Sequence, residues 1–185
     1  MNGKDYLCLN LEKYLNNKGT TSEDDMKNGN LSIGNSSLPE KNVLLNTEFS
    51  YKNIPFFISK KDYFDNIELE GQKLTFKPLP ITAIHILGVS SNGDYFEPIH
   101  FVRNNEVVNS EIFFLTDFLS SEPAFRDEPA IQCKYLHTQS GINNYYKPTI
   151  WYDCIRFDQS IEVDGLQLED NPFIHIFAIS LEYTC

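Results

Sequence analysis

Residues 150–157 read Ile-Trp-Tyr-Asp-Cys-Ile-Arg-Phe, and residues 173–181 read Phe-Ile-His-Ile-Phe-Ala-Ile-Ser-Leu. Both are short runs dense in aromatic and β-branched side chains, which suit a pleated, half-buried surface. Working outward, Leu7, Leu9 and Leu11 alternate with Cys8 and Asn10, the period of two that marks a strand. Further strands are expected at Pro55–Ile58, Ile67–Leu69, Lys73–Phe76, Ala83–Val89, Ile99–Val102, Glu111–Leu115, Ile131–Tyr135 and Ile161–Leu166. Turn signals separate them at Glu70-Gly71, Asn92-Gly93, Asn104-Asn105, Asp164-Gly165 and Asn171-Pro172. Many short strands with regular turns predict an all-β antiparallel sandwich or barrel. Helix is confined to single turns at Glu12–Asn17 and Thr116–Ser121, too short to hold without tertiary support.

The chain has 185 residues, enough for one domain over 1–185 with one sizeable core. Its formal net charge of −11 sets it against nucleic acid and anionic membrane surfaces, and no run of Lys and Arg offsets this. Polar Asn10, Glu12 and Lys13 interrupt the apolar positions near the N-terminus, so no secretory signal is read there. No stretch approaches the roughly 18 apolar residues of a membrane span. A cytoplasmic location is expected. The four cysteines, Cys8, Cys133, Cys154 and Cys185, are widely spaced and read as reduced thiols. The polar stretch Gly19–Asn46 is expected to lie over the sandwich, anchored by Leu31, Ile33, Leu38 and Val43. Long connections follow at Leu119–Ala130 and His137–Thr149.

An ordered series of short motifs carries a resemblance. It begins with Leu9-Asn10-Leu11-Glu12-Lys13-Tyr14-Leu15-Asn16-Asn17-Lys18-Gly19, continues through Asn30–Pro39, Ile54-Pro55-Phe56, Asp65-Asn66-Ile67, Glu70–Leu74, Leu87–Gly93 and Thr116-Asp117-Phe118, and closes with Asn171–Leu181. The series resembles the galactose-binding-like β-sandwich found as an accessory domain of bacterial glycosidases. Thr116-Asp117-Phe118 stands where that family's pattern usually ends in Trp. The resemblance implies a jelly-roll whose relatives mostly bind carbohydrate and do no chemistry themselves.

Candidate ligand-binding residues follow from the chemistry of sugars, whose C–H faces stack on aromatic rings and whose hydroxyls seek polar side chains. Tyr145, Tyr146 and Trp151 cluster after Asn143-Asn144, with Trp151 also suited to the core. Tyr95 lies beside Asn92 and Asp94. Arg126, between Pro123 and Pro129, can hold a carboxylate or a hydroxyl. His137 sits at the mouth of a long loop, where binding groups concentrate. Asp117, in the Thr-Asp-Phe turn, either caps backbone N–H groups or faces a ligand. His85 and His175, flanked by apolar residues, read as buried neutral imidazoles, with His175 sharing a face with Phe173, Phe177 and Ile179. His100 reads as a strand-edge residue.

No cofactor is expected. Glu23-Asp24-Asp25 and the Asn30–Asn35 loop offer hard oxygens to a structural calcium ion, although an acidic run more often forms a solvated face. The leading functional reading is a stand-alone module for a carbohydrate or other small polar ligand. One alternative is a small enzyme (an isomerase, cyclase or hydrolase) with His137 or His175 transferring a proton and Asp117 or Asp127 as partner. The other is an assembly subunit, with a homodimer left open.

Overall fold

A computed structural model describes residues 4–184. Cys185 therefore lies outside the described residues. In chain order the strands are β1 (Lys4–Cys8), β2 (Thr20–Thr21), β3 (Leu38–Pro39), β4 (Glu48–Tyr51), β5 (Ile54–Phe57), β6 (Ile67–Glu70), β7 (Lys73–Ser90), β8 (Tyr95–Arg103), β9 (Glu106–Leu115), β10 (Glu128–Gln132), β11 (Leu136–Thr138), β12 (Gly141–Asn143), β13 (Thr149–Leu168) and β14 (Asp170–Thr184). The main sheet runs β1-β14-β7-β13-β8-β9, with β10 added to β13 and β6 to β14. Its pairings are antiparallel, and the fold is an all-β antiparallel sandwich, as the sequence patterning implies. Only the two-residue β2–β3 pairing is parallel among the described strands.

Two strands make the sandwich by bending. The second half of β7 lies between β14 and the first half of β13, whereas its first half pairs with the end of β13, which takes β8 on its other side. Register shifts between Arg156 and Ile161 and between Val163 and Gly165 mark the change of layer. Irregular pairing of this kind bends a strand and strengthens its twist. Ile84, Ile86, Trp151, Ile155, Ile176 and Leu181 then meet Leu74, Ile99, Phe101, Phe113, Leu115 and Val163 in the main core.

A second core lies on the other side of the β14-β7-β13 layer. There Leu87, Val89, Ile150, Tyr152, Phe177 and Ala178 are covered by Leu31, Leu38, Val43, Ile54, Phe56 and Phe118. The 19–46 stretch thus lies over the sheet as expected, although Ile33 is 80% exposed and does not anchor it.

Several local expectations change. The expected helical turns are hydrogen-bonded turns (Tyr14 N–H to Leu11 O, Ser120 N–H to Asp117 O), and the 3-10 turns occur at Met26–Asn28 and Glu40–Asn42. Asp164-Gly165 and Asn171-Pro172 lie within strands. Gly165 serves close approach, since a Cβ there would stand 2.9 Å from Leu74 O. His175 and Ile179 do not share a face. A register shift between Ile176 and Ala178 inserts a residue, sending Phe177 and Ala178 to the second core and Ile179 to the first.

Candidate functional site

The long connections after β9 and β12 meet at one surface. The Thr149 N–H donates to Phe118 O (2.8 Å), which pins the 145–148 stretch against the turn that follows β9. A groove of about 600 Å³ opens there, lined by Leu119, Ser121, Glu122, Gln132, Tyr145 and Tyr146 among others. Tyr145 is 85% exposed, and its ring stands at 86° to that of Tyr146, 5.1 Å between centroids. The Tyr145 N–H donates to Asn143 Oδ1 (2.9 Å), so the preceding Asn143-Asn144 pair shapes the tip that presents the rings.

The other sequence candidates disperse. Trp151 is buried in the main core, and its indole N–H donates to Asp117 O (3.2 Å). The Asp117 carboxylate accepts from the N–H groups of Gly93 and Leu119 (both 2.8 Å), so it takes the capping role. Burial and the nearby Asp94 push its pKa up. Tyr95 stacks on Phe173, 5.5 Å between centroids. Arg126 lies over the Phe114 ring and donates to Asp153 Oδ1 (3.3 Å).

His137 is buried within β11, and its Nδ1 meets Thr21 Oγ1 at 2.8 Å. It also lines an open cleft with Glu23, Glu40 and Lys41. Desolvation lowers its pKa.

The pairs expected of an enzyme do not form. His137 and His175 bond to Thr21 and Asn66, while Asp127 accepts from the N–H and hydroxyl of Thr116 at 2.7 and 2.8 Å. His85, fully buried, meets the Tyr152 hydroxyl at 2.9 Å, and its Nε2 lies 3.5 Å from Glu182 Oε2. Burial takes its pKa down to about 4, so the ring is neutral at pH 7. His100 lies 2.7 Å from Glu169 at the surface. Of the acidic run, Glu23 pairs with Lys41 and Asp25 with Lys18. No group of three or more His, Cys, Asp or Glu converges among the described residues.

A polar network beneath the 17–20 turn went unread as a unit in the sequence. Asp65 accepts from the N–H groups of Gly19 and Thr20 (both 2.9 Å), the Thr20 hydroxyl (2.6 Å) and Asn66 Nδ2 (2.8 Å). Asn66 Nδ2 also reaches Asn17 Oδ1 at 3.1 Å, and Asn17 Nδ2 donates to Glu68 Oε2 at 2.8 Å. Glycine is required at position 19, where a Cβ would sit 2.5 Å from Asn66 Nδ2 and 2.8 Å from Phe177. The clue in the sequence is the polar Asp65-Asn66 pair just before an apolar strand, although its partners at 17–20 are some 45 residues away.

Bent long strands, a covered outer face and polar loops at the rim define a β-sandwich domain. The chain belongs to the AziU2-like beta-sandwich domain family, whose model matches residues 6–184. A search of curated proteins returns no match.

Proposed function

We propose that the chain is a binding module that holds a carbohydrate or another small polar ligand in the Tyr145–Tyr146 groove and does no chemistry itself. The observation that carries this reading is the pair of perpendicular, solvent-facing tyrosines lining one groove with Glu122, Gln132, Lys147 and two serines. Rings offer a sugar its stacking surface, and the polar groups match its hydroxyls. The resemblance to galactose-binding-like sandwiches supports the same class of ligand. Free thiols at Cys8, Cys133 and Cys154 fit a reducing, cytoplasmic setting. Glycan-array screening followed by titration tests the reading. Tyr146→Ala should weaken the interaction about tenfold, which is about 1.4 kcal/mol. Glycan binding that survives both Tyr145→Ala and Tyr146→Ala places the ligand elsewhere and removes this groove from consideration.

A second reading, an assembly subunit, rests on the outer face of β8 and β9. Phe96 pairs across the strands with Phe114, and Pro98 with Ile112. Phe125 packs on both Phe96 and Phe114. Phe96 on β8 remains 54% exposed, and Ile112, on the β9 strand that ends the path of the main sheet, 45%. Adjacent exposed apolar side chains at a sheet edge mark a contact surface. Light scattering across a concentration series, with Phe96→Glu as control, tests for self-association.

A further inference from the structure

A smaller cleft of about 280 Å³ lies where four separated segments meet. Asn30–Ile33, Asn35, Glu68, Ser91-Asn92, Pro172-Phe173 and His175 contribute to its wall. Glu68 and His175 are direct cross-strand partners of β6 and β14, which sets their side chains on the same face of the sheet. Phe173 adds an apolar wall, backed by the stacked Tyr95 ring.

The hydrogen bonds fix what these two groups offer. Asn66 Nδ2 points to Asp65 Oδ1, an oxygen that already accepts from the Gly19 N–H, so Asn66 Oδ1 is turned to His175. His175 Nδ1 must then carry the proton in the 3.1 Å contact with Asn66 Oδ1. Burial takes the pKa of His175 down to about 3, so the ring is neutral at pH 7. Its Nε2 is left as a bare acceptor, buried and without a hydrogen-bond partner. A buried polar atom of this kind is costly unless something donates to it. Glu68 is also an acceptor. The charged neighbour acting on it is Glu70, of like sign, and no Lys or Arg pairs with it among the described residues.

We propose that this cleft binds a small hydroxylated amine of amino-sugar size, with the ammonium on Glu68 and a hydroxyl donating to His175 Nε2. Two acceptors side by side call for a ligand with two donors. One Glu68 oxygen takes the Asn17 Nδ2 proton (2.8 Å), but a carboxylate with no ion-pair partner in a chain of net charge −11 favours a cationic donor over a neutral one. The amides of Asn35 and Asn92 and the hydroxyls of Ser32 and Ser91 meet the remaining hydroxyls. The volume corresponds to about nine waters of liquid, which suits a single ring. The site shares no lining residue with the Tyr145–Tyr146 groove, so either can fail without the other.

Calorimetric titration of the full chain at pH 7 with glucosamine, glucose and N-acetylglucosamine tests it. Saturable binding of glucosamine is expected, at least about tenfold tighter than either neutral sugar. Glu68→Gln should erase that preference, and Tyr146→Ala should leave it intact. Equal affinity for the three sugars, a preference that survives Glu68→Gln, or no saturation by about 10 mM glucosamine, a binding energy below about 3 kcal/mol, overturns the proposal. A nitrogen-15 spectrum of the unaltered protein gives a readout that needs no variant. The His175 ring should show a proton on Nδ1 and a bare Nε2 whose resonance moves on adding glucosamine. A proton found on Nε2 defeats the assignment.

Discussion

At the scale of single residues, the buried imidazoles tie stability to pH. His175 and His85 are neutral in the fold, with pKa values brought down by burial to about 3 and about 4. Unfolding restores the ordinary histidine value of 6.5. Between 6.5 and these depressed values the unfolded chain binds more protons, so stability is complete above 6.5 and falls as the pH drops through that window. Each ring adds a slope approaching about 1.4 kcal/mol per pH unit. His175→Asn retains a donor for Asn66 Oδ1 and removes the titration. Its urea midpoint should therefore fall less steeply between pH 6.5 and 4 than that of the unaltered chain; an unchanged slope would place the acid sensitivity elsewhere. The neutral, buried state of these histidines was legible from their apolar neighbours. The facing of His175 was only partly so, because the irregularity after Ile176 is a property of pairing with β7 and leaves no mark in a run of alternating apolar residues. Trp151 shows the same limit: its core position follows from its strand, but its bond to Asp117 O depends on a turn 34 residues earlier.

At the scale of elements, β7 and β13 are each one strand where the sequence reads two. Pro78 and Pro80 interrupt the first, Asp158-Gln159-Ser160 separates the two segments expected in the second, and Asp164-Gly165 is a further turn signal there; such residues ordinarily argue for a break. Here they fall where each strand passes from one layer to the other, a place that needs irregular backbone and few ladder bonds. Gly165→Val tests that account. A Cβ would press on Leu74 O at 2.9 Å, so the change should lower the unfolding free energy by about 1–3 kcal/mol, seen as a lower urea midpoint with little change in denaturant slope. An effect within a few tenths of a kcal/mol would show that the bend tolerates side chains. The hairpin between β4 and β5 is the converse case, with Lys52 and Asn53 both at positive φ (53° and 63°) in a turn no Gly announces.

At the scale of the whole molecule, charge and layering were readable from composition and period, but the sites were not. The cleft takes Glu68, Ser91 and His175 from segments that look unrelated until β6, β7 and β14 pair. The Tyr145–Tyr146 groove was the easier reading, because exposed aromatics in a polar loop stand out locally. The net charge of −11 carries its own consequence. Self-repulsion opposes the compact state and is screened by salt. The melting temperature should rise between about 10 and 150 mM NaCl, as the Debye length falls from roughly 30 to 8 Å. A melting temperature that drops over this range would mean that favourable ion pairs, such as those around Glu182, outweigh the repulsion.

The order of the strands along the chain has a consequence for synthesis. The strand β14 is inserted between β7 on one side and β1 and β6 on the other, yet among these it leaves the ribosome last. Until it emerges, β7 carries an open edge and both greasy interiors lack a wall. A nascent chain stalled before residue 170 should be cleaved readily by protease, and one tethered far enough beyond residue 184 should resist. The protein thus closes in one late event, like an arch awaiting its keystone, and its vulnerability to aggregation is concentrated in the seconds before that strand arrives.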